Sequence, residues 1–481
     1  MFFCKKKKEL TLEDRIKGSL YGFFVGDALG VPVEFINRQT LKNEPVTDML
    51  EYGSHNQPKG SFSDDTSLVL ATIDSMINNK DTLYTKEILN YKDIMYRFTK
   101  YKLKGEYTPQ NHVFDIGLST AYAIDKYIRD DNNPFCGEND INSNGNGSLM
   151  RALPLALYDY FCIIPTPTGT IFNDYYEYNK KLSSLTHAHD LSVMSCYIYN
   201  YFISEYLITN DIRKSYENTQ SHFKIIFDGK VKKDYGDLEL SKKYFERLIY
   251  NDISKLKRED IKSSGFVIDT IEAVFYTILT TNNYKEAVLS AVNLGDDTDT
   301  VGAITGSLAG LIYGLNDIPN NWLNTLQRKD YLDNFVNKYF ELINERIAYN
   351  EKEKKRVLEE YERKEKERPK ATKDSWKNLR FPDQLNSLEI TKELTKEQLE
   401  TLKFGHIPQE MEDHWFFYDN EEEKTINFYR SWTGIGIYKA YYNDNNTIYK
   451  VEYNQEVLSQ NKDQIIIDFN TLIDSYLKYY K

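Results

Sequence analysis

Apolar positions over residues 11–345 recur mostly at helical spacing. The first run covers residues 11–30. Thr11 followed by Asp14 resembles a helix cap, and Ile16, Leu20, Phe23 and Phe24 form one apolar face. A second run opens at Ser63-Asp64-Asp65-Thr66 and continues through Leu68, Val69, Leu70 and Ile73. A third follows Gly295-Asp296-Asp297-Thr298-Asp299-Thr300 and reads Ile304, Leu308, Leu311, Ile312. Further helical patterns cover 84–103, start at Asp115-Ile116-Gly117, start at Thr186–Asp190, start at Ser263–Ala273, and cover 327–350. From Tyr349 to Lys373 the chain is almost all Glu, Lys and Arg of mixed sign, a solvated helix or linker.

The pattern then changes. Trp415–Tyr418, Thr425–Tyr429, Ile435–Tyr441 and Thr447–Val451 read as strands, and Ile465–Tyr479 as a closing helix. The expected organisation is a multi-helix domain over 11–348, the charged segment 349–373, and a small α+β domain over 374–481. Trp415, Phe417, Phe428, Tyr429, Trp432 and Tyr438 offer that last domain a core of its own or a protein-facing surface.

Two helical patterns carry glycine on every fourth residue: Gly18, Gly22, Gly26, Gly30 and Gly302, Gly306, Gly310, Gly314. Each glycine costs a helix up to about 1 kcal/mol relative to alanine. The compensating feature is close approach of a neighbouring helix. If these two helices pack on each other, Asp27 and Glu34 arrive near the Asp297 cluster.

That cluster needs a reason as well. One carboxylate suffices for a helix cap. Several within a few residues repel one another unless a cation neutralises them. Ser63-Asp64-Asp65-Thr66 repeats the same grammar of hydroxyl and paired carboxylates. Hard oxygen ligands of this kind suit Mg²⁺ or Mn²⁺.

Composition narrows the functional classes. A length of 481 residues points to two domains. A net charge of −12 argues against a nucleic-acid backbone as partner. Cys4, Cys136, Cys162 and Cys196 are scattered, with no Cys-x-x-Cys, as in a reducing cytosol. Met1–Lys8 lacks the apolar core of a signal and reads as a solvated tail. The run Val301–Leu315 is shorter than the roughly 20 residues of a membrane span. A cytoplasmic protein without a membrane segment is expected.

Among the loops, residues 131–148 end at Gly145-Asn146-Gly147-Ser148-Leu149-Met150-Arg151. Small residues leading into a helix make a backbone cradle that suits phosphate, although ordinary loop-to-helix junctions look the same. Arg151 suits phosphate or a carboxylate. His187 and His189 are not spaced as a metal pair on one helix face and read as capping or core residues. Glu34, between Val33 and Phe35, is either a paired surface residue or poised in a site.

The order of these motifs resembles the ADP-ribosylglycohydrolase family, which includes dinitrogenase-reductase-activating glycohydrolase. The matching pieces are Gly26-Asp27-Ala28-Leu29-Gly30 with Glu34, Ser63–Thr66, Asp115–Gly117, Gly145–Arg151, Thr186-His187 and Asp297–Thr300, over residues 11–345. The resemblance implies an all-α fold around two Mg²⁺ or Mn²⁺ ions held by Ser63, Asp64, Asp65, Asp297, Asp299 and Thr300. It implies substrate binding by Asp27, Gly145, Asn146, Gly147, Ser148, Met150, Arg151, His187 and Phe266, with Glu34 or Asp115 handling protons. Ser63 stands where threonine is usual, and Phe266 where tyrosine is expected.

The function expected is metal-dependent release of ADP-ribose from a modified protein side chain or small conjugate, with arginine favoured on family grounds. The C-terminal domain is expected to recruit the target. The rivals are a non-catalytic ADP-ribose binder, an immunity-type protein countering an ADP-ribosylating toxin, and a two-metal phosphoesterase.

Overall fold

A computed structural model describes residues 10–479, apart from 86, 163, 167–168, 172–174, 409–412 and 460. The lysine-rich tail expected at Met1–Lys8 lies outside the described residues. The chain divides into two compact units, Met1–Leu358 and Glu359–Lys481.

The first unit is a bundle of helices with one short antiparallel hairpin, Ile164–Thr166 with Gly169–Ile171. Its centre is the helix Leu12–Gly30, started by a full capping box: the Asp14 N–H donates to Thr11 Oγ1 at 3.1 Å, and the Thr11 N–H to Asp14 Oδ2 at 3.2 Å. The helix is buried continuously from Gly18 to Gly30. It lies antiparallel to Thr298–Tyr313, glycine against glycine. A Cβ built on Gly22 would fall 2.2 Å from the Gly306 carbonyl oxygen, and one on Gly26 would fall 2.1 Å from that of Gly302. Gly30 faces the Asp299 backbone in the same way, at 2.3 Å. The polar groups along this contact are satisfied across it. Ser19 Oγ donates to Ser307 O at 2.9 Å, Tyr284 OH to Gly22 O at 2.7 Å, and Thr298 Oγ1 to Gly30 O at 2.8 Å. Gly314 plays a different part. At φ +84° it ends the helix, its N–H donating to Gly310 O.

The helix pattern expected over 84–103 begins later, at Tyr91. Asn90 supplies the cap, its side chain accepting from the Asp93 N–H at 3.1 Å. The charged stretch after Tyr349 continues a helix begun at Lys329, giving one element, Lys329–Glu367. Its first part buries Val336, Tyr339, Leu342 and Ile343 in the first unit's core. Beyond that the Glu, Lys and Arg residues are good helix formers and favour its continuation. The three described cysteines, Cys136, Cys162 and Cys196, are buried. No helix among the described residues is long and apolar enough to cross a membrane.

The second unit is a five-stranded antiparallel sheet ordered Asn386–Glu393, Thr447–Tyr453, Gly436–Tyr442, Thr425–Arg430, Trp415–Asn420. The helix Lys462–Tyr479 lays Ile465, Phe469, Ile473 and Leu477 against Phe428, Tyr438 and Val451. Four strands and the closing helix match the expected positions. The strand Asn386–Glu393 and the helix Lys396–Phe404 were not legible, because the strand is a largely exposed edge with little apolar alternation. Of the expected aromatic core, Phe417, Phe428 and Tyr438 are buried, whereas Trp432 is 63% exposed.

The glycine contact generates a direct test. Gly22→Ala or Gly306→Ala drives a methyl into a backbone carbonyl, which no side-chain rotation relieves. Each lowers stability by about 3 kcal/mol or more, at the upper end of overpacking penalties, read as a fall in thermal unfolding temperature. An unchanged melting curve contradicts the packing.

Candidate active site

The site forms where helix ends meet. Pro32 stops the first helix at a single tight turn, Val31–Val33, and delivers Glu34. Close contact at Gly30 brings in the start of Thr298–Tyr313. Asp27 ties in the third element. Its carboxylate accepts from the Ser63 N–H at 2.9 and 3.1 Å, the Thr66 N–H at 3.0 Å and Thr66 Oγ1 at 2.6 Å. It therefore caps the helix Asp64–Asn78 from outside, alongside the local cap Ser63. Burial still lifts the Asp27 carboxyl to about 6, despite four hydrogen bonds that favour its charge.

The two acidic stretches meet. One carboxylate oxygen each from Asp27, Asp65 and Asp299 lie within 4.8 Å of one another, as do oxygens from Glu34, Asp297 and Asp299. Asp64, Asp65 and Asp299 are all nearly inaccessible. Burial pushes their carboxyls well above the usual range, reinforced chiefly by the charges of Asp115 on Asp64, Asp27 on Asp65, and Glu34 on Asp299. Two oxygens, Asp65 Oδ2 and Asp297 Oδ1, are buried with no hydrogen-bond donor. Asp297 occupies the cap position of its helix yet makes no capping hydrogen bond. These acids are aimed at something other than the backbone. Hydroxyls border them: Thr300 Oγ1 lies 3.5 Å from Asp65 Oδ1, and Ser63 Oγ accepts from the Asp65 N–H at 3.2 Å. All six positions expected as metal ligands are thus gathered at one place.

Glu34 and Asp115 sit at its edge with a residue the sequence reading passed over. His55 Nε2 contacts Glu34 Oε2, and Glu34, His55 and Asp115 form a third close grouping. His55 comes from the segment between the first helix and the Ser63 cluster. Nothing in its local spacing marks it, because its position depends on a distant contact: Ser54 Oγ donates to Glu34 O at 2.6 Å. Burial pushes the Glu34 carboxyl up to about 7, with His55 opposing the shift. Burial also raises Asp115, while the hydrogen bond to Glu34 raises His55. Tyr101 OH fixes the loop by donating to Asp115 O at 2.5 Å.

The Gly145–Arg151 loop reaches the cluster through Asn146. Its Nδ2 donates to Asp297 Oδ2 at 2.7 Å and to Thr270 Oγ1 at 2.9 Å. Gly145 pairs with Phe266 through a backbone bridge. A Cβ on Gly147 would fall 2.8 Å from both His187 Cε1 and Thr120 Oγ1, so only glycine fits. Gly145, Gly147 and Phe266 remain partly accessible.

Other residues expected at the ligand are turned inward. Arg151 is fully buried. Its Nη2 donates to Leu182 O at 3.0 Å and Thr186 Oγ1 at 2.8 Å, and its guanidinium lies 5.1 Å from the Phe98 ring centroid. Through Nη2 it braces the segment 182–186. Ser148 accepts from Ser183 Oγ at 2.9 Å, and Met150 packs in the hydrophobic core. His187 is buried with Nδ1 2.8 Å from Thr186 Oγ1, and burial pulls it down to about 3, so it is neutral. Arg151, Ser148, Met150, His187 and Asp27 are thus all buried, and Arg151 Nε and Nη1 have no acceptor.

The shifts give a pH dependence. In the unfolded chain Asp27 and Glu34 ionise near 3.8 and 4.5; in the folded chain they keep their protons to about 6 and 7. The metal-stripped folded state therefore binds more protons across that window, and its stability falls as pH rises from about 4 to about 7. Thermal unfolding of the metal-stripped protein measures this. A stability that climbs through that range contradicts the assignment.

Comparison with known proteins agrees with this geometry. The ADP-ribosylglycohydrolase family model matches residues 8–349. The ADP-ribosylarginine hydrolase Tri1 of Serratia proteamaculans is 31% identical over 329 residues, 68% of this chain and 79% of the relative. The ADP-ribosyl-[dinitrogen reductase] glycohydrolase of Rhodospirillum rubrum is 26% identical over 330 residues, 66% of this chain and 92% of the relative. A solved structure described as an ADP-ribosylglycohydrolase-related protein complex shares the fold. Its TM-score is 0.52 at 24% identity, over 69% of this chain and 98% of that one. With a helical unit that gathers the motif carboxylates and a family match across most of its length, the chain belongs to the ADP-ribosylglycohydrolases, enzymes that remove ADP-ribose.

Proposed function

We propose that this enzyme is a divalent-cation-dependent hydrolase that releases ADP-ribose from modified arginine. The observation that carries the metal dependence is the pair of donorless buried oxygens, Asp65 Oδ2 and Asp297 Oδ1, inside a cluster of like charges. An all-oxygen donor set fits Mg²⁺ or Mn²⁺. Asp64, Asp65, Asp297 and Asp299, with the hydroxyls of Ser63 and Thr300, would hold two such ions. Bound there, they supply Lewis-acid polarisation and anchor ribose hydroxyls. Arginine is supported by the Serratia relative, named an ADP-ribosylarginine hydrolase.

The remaining work falls to the chain's own groups. Hydrolysis breaks the bond between ribose C1″ and a guanidino nitrogen. A water oxygen bonds to C1″ and gives up a proton, and the departing nitrogen gains one. Glu34, a carboxylate that burial raises and that borders the cluster, is positioned to exchange a proton in this step. His55 fixes the Glu34 carboxyl in place, and Asp115 is the second acid within reach. Asn146 holds Asp297 and sets the Gly145–Gly147 backbone beside the cluster, where the diphosphate would lie, with Phe266 flanking it.

All three metal-capable groupings found among the described residues lie in the first unit. The second unit is proposed to select the modified protein, not to take part in bond cleavage.

Incubation with ADP-ribosyl-arginine and Mg²⁺ or Mn²⁺ should yield free ADP-ribose by mass spectrometry; phosphate release would identify a phosphoesterase instead. Glu34→Gln should lower kcat by about 10²–10⁴-fold while still binding ADP-ribose in calorimetry. A wild-type rate would remove Glu34 from proton transfer. A chain ending at Leu358 should cleave ADP-ribosyl-arginine normally but act more weakly on modified protein. Equal activity on both would refute the selecting role.

A further inference from the structure

Phe35 is placed where neither packing nor backbone preference accounts for it. Its side chain is 72% exposed, beside the buried Glu34. Its φ is +65°, a region that bulky residues rarely adopt. Such strain persists only where the surroundings enforce it, and it gathers at functional sites. Here the enforcement is visible. The Phe35 N–H donates to Asp296 O at 2.7 Å, and the Asp296 N–H donates to Ile36 O at 2.9 Å. Asp296 is itself held at φ +60°. Two strained residues thus lock each other, and the Phe35 backbone is tied to the loop that carries Asp297.

The ring is part of a row. Its centroid lies 5.8 Å from that of His55, which lies 5.4 Å from that of Phe114. Phe114 and Phe35 each neighbour an acid in sequence, Asp115 and Glu34. His55 contacts Glu34, and Asp115 places a second carboxylate at the same edge. The phosphate cradle meets the acidic cluster at Asp297, through Asn146, whereas the aromatic row meets it at Glu34 and Asp115. The two therefore approach the bond-breaking centre from different elements.

We infer that Phe35 and Phe114, with Asp115 beside them, form the subsite for the leaving group, and that it selects a planar delocalised cation, the guanidinium of an arginine side chain. Guanidinium stacks on aromatic faces and pairs with carboxylates through its fork of N–H donors, which a neutral hydroxyl acceptor cannot do. The subsite rests on the arginine reading proposed above and adds to it the residues that would recognise that acceptor. Phe35 is a specificity residue in this account, without a part in proton transfer.

The test compares Phe35→Leu, which keeps bulk but loses the aromatic face, with Phe35→Tyr, which keeps it. On ADP-ribosyl-arginine, Phe35→Leu should raise KM about tenfold with little change in kcat, and Phe35→Tyr should restore it. Product inhibition by free ADP-ribose should be the same in all three proteins. An unchanged KM in Phe35→Leu overturns the subsite and leaves the arginine reading standing. A parallel weakening of ADP-ribose inhibition also overturns it, by moving the ring to the nucleotide side. If wild-type enzyme releases no ADP-ribose from ADP-ribosyl-arginine, the arginine reading falls and the subsite with it. Should Phe35→Leu fail to fold, agmatine decides the matter on wild-type enzyme: competition with substrate supports the guanidinium subsite, and its absence at millimolar concentration overturns it.

Discussion

Like charges gathered in a nearly water-free centre are the constraint that the rest of this structure answers to. Asp27, Asp64, Asp65 and Asp299 are each 5% exposed or less. Their mutual repulsion and lost hydration oppose folding. The glycine-faced pair of helices is what brings them together regardless. Without Cβ atoms at Gly22, Gly26, Gly302 and Gly306, the backbones come close enough for the end of one helix to meet the start of the other. Asp27 then fixes the third element with four hydrogen bonds, from the Ser63 and Thr66 backbones and the Thr66 hydroxyl. A scaffold this rigid holds charges that cannot drift apart, and a bound cation would convert their repulsion into affinity.

The same constraint explains the acid–base character of the rim. Glu34 is shielded enough to keep its proton to about 7, and His55 limits that shift by favouring the charged form. Glu34 and Asp115 adjoin accessible surface through Phe35 and Gly117 respectively, and Glu34 also lies against Asp297 and Asp299.

Much of the fold and of the central cluster was legible because both are periodic or local. Glycine every fourth residue announces a close helix contact. Hydroxyl and paired carboxylates opening an apolar helix announce charge that one cap cannot use. What was not legible depends on partners distant in sequence. Asp27 reads as a ligand-facing acid until its bonds to Ser63 and Thr66 are seen. Arg151 suits phosphate or a carboxylate in the sequence, and its bonds to Leu182 and Thr186 emerge only in the fold. His55 carries no local signal at all. In the second unit the strand Asn386–Glu393 stayed hidden because an exposed edge lacks the apolar alternation that marked its four neighbours.

The central claim is that the buried acids exist to hold cations, and the most direct measurement is calorimetric titration of Mn²⁺ into metal-stripped wild-type protein and into Asp65→Asn and Asp297→Asn. The account predicts saturable binding by the wild type, at up to two ions per chain, and sharply weaker binding by both variants with their helical content retained. A folded wild type that binds no Mn²⁺, or variants that bind it undiminished, would contradict it.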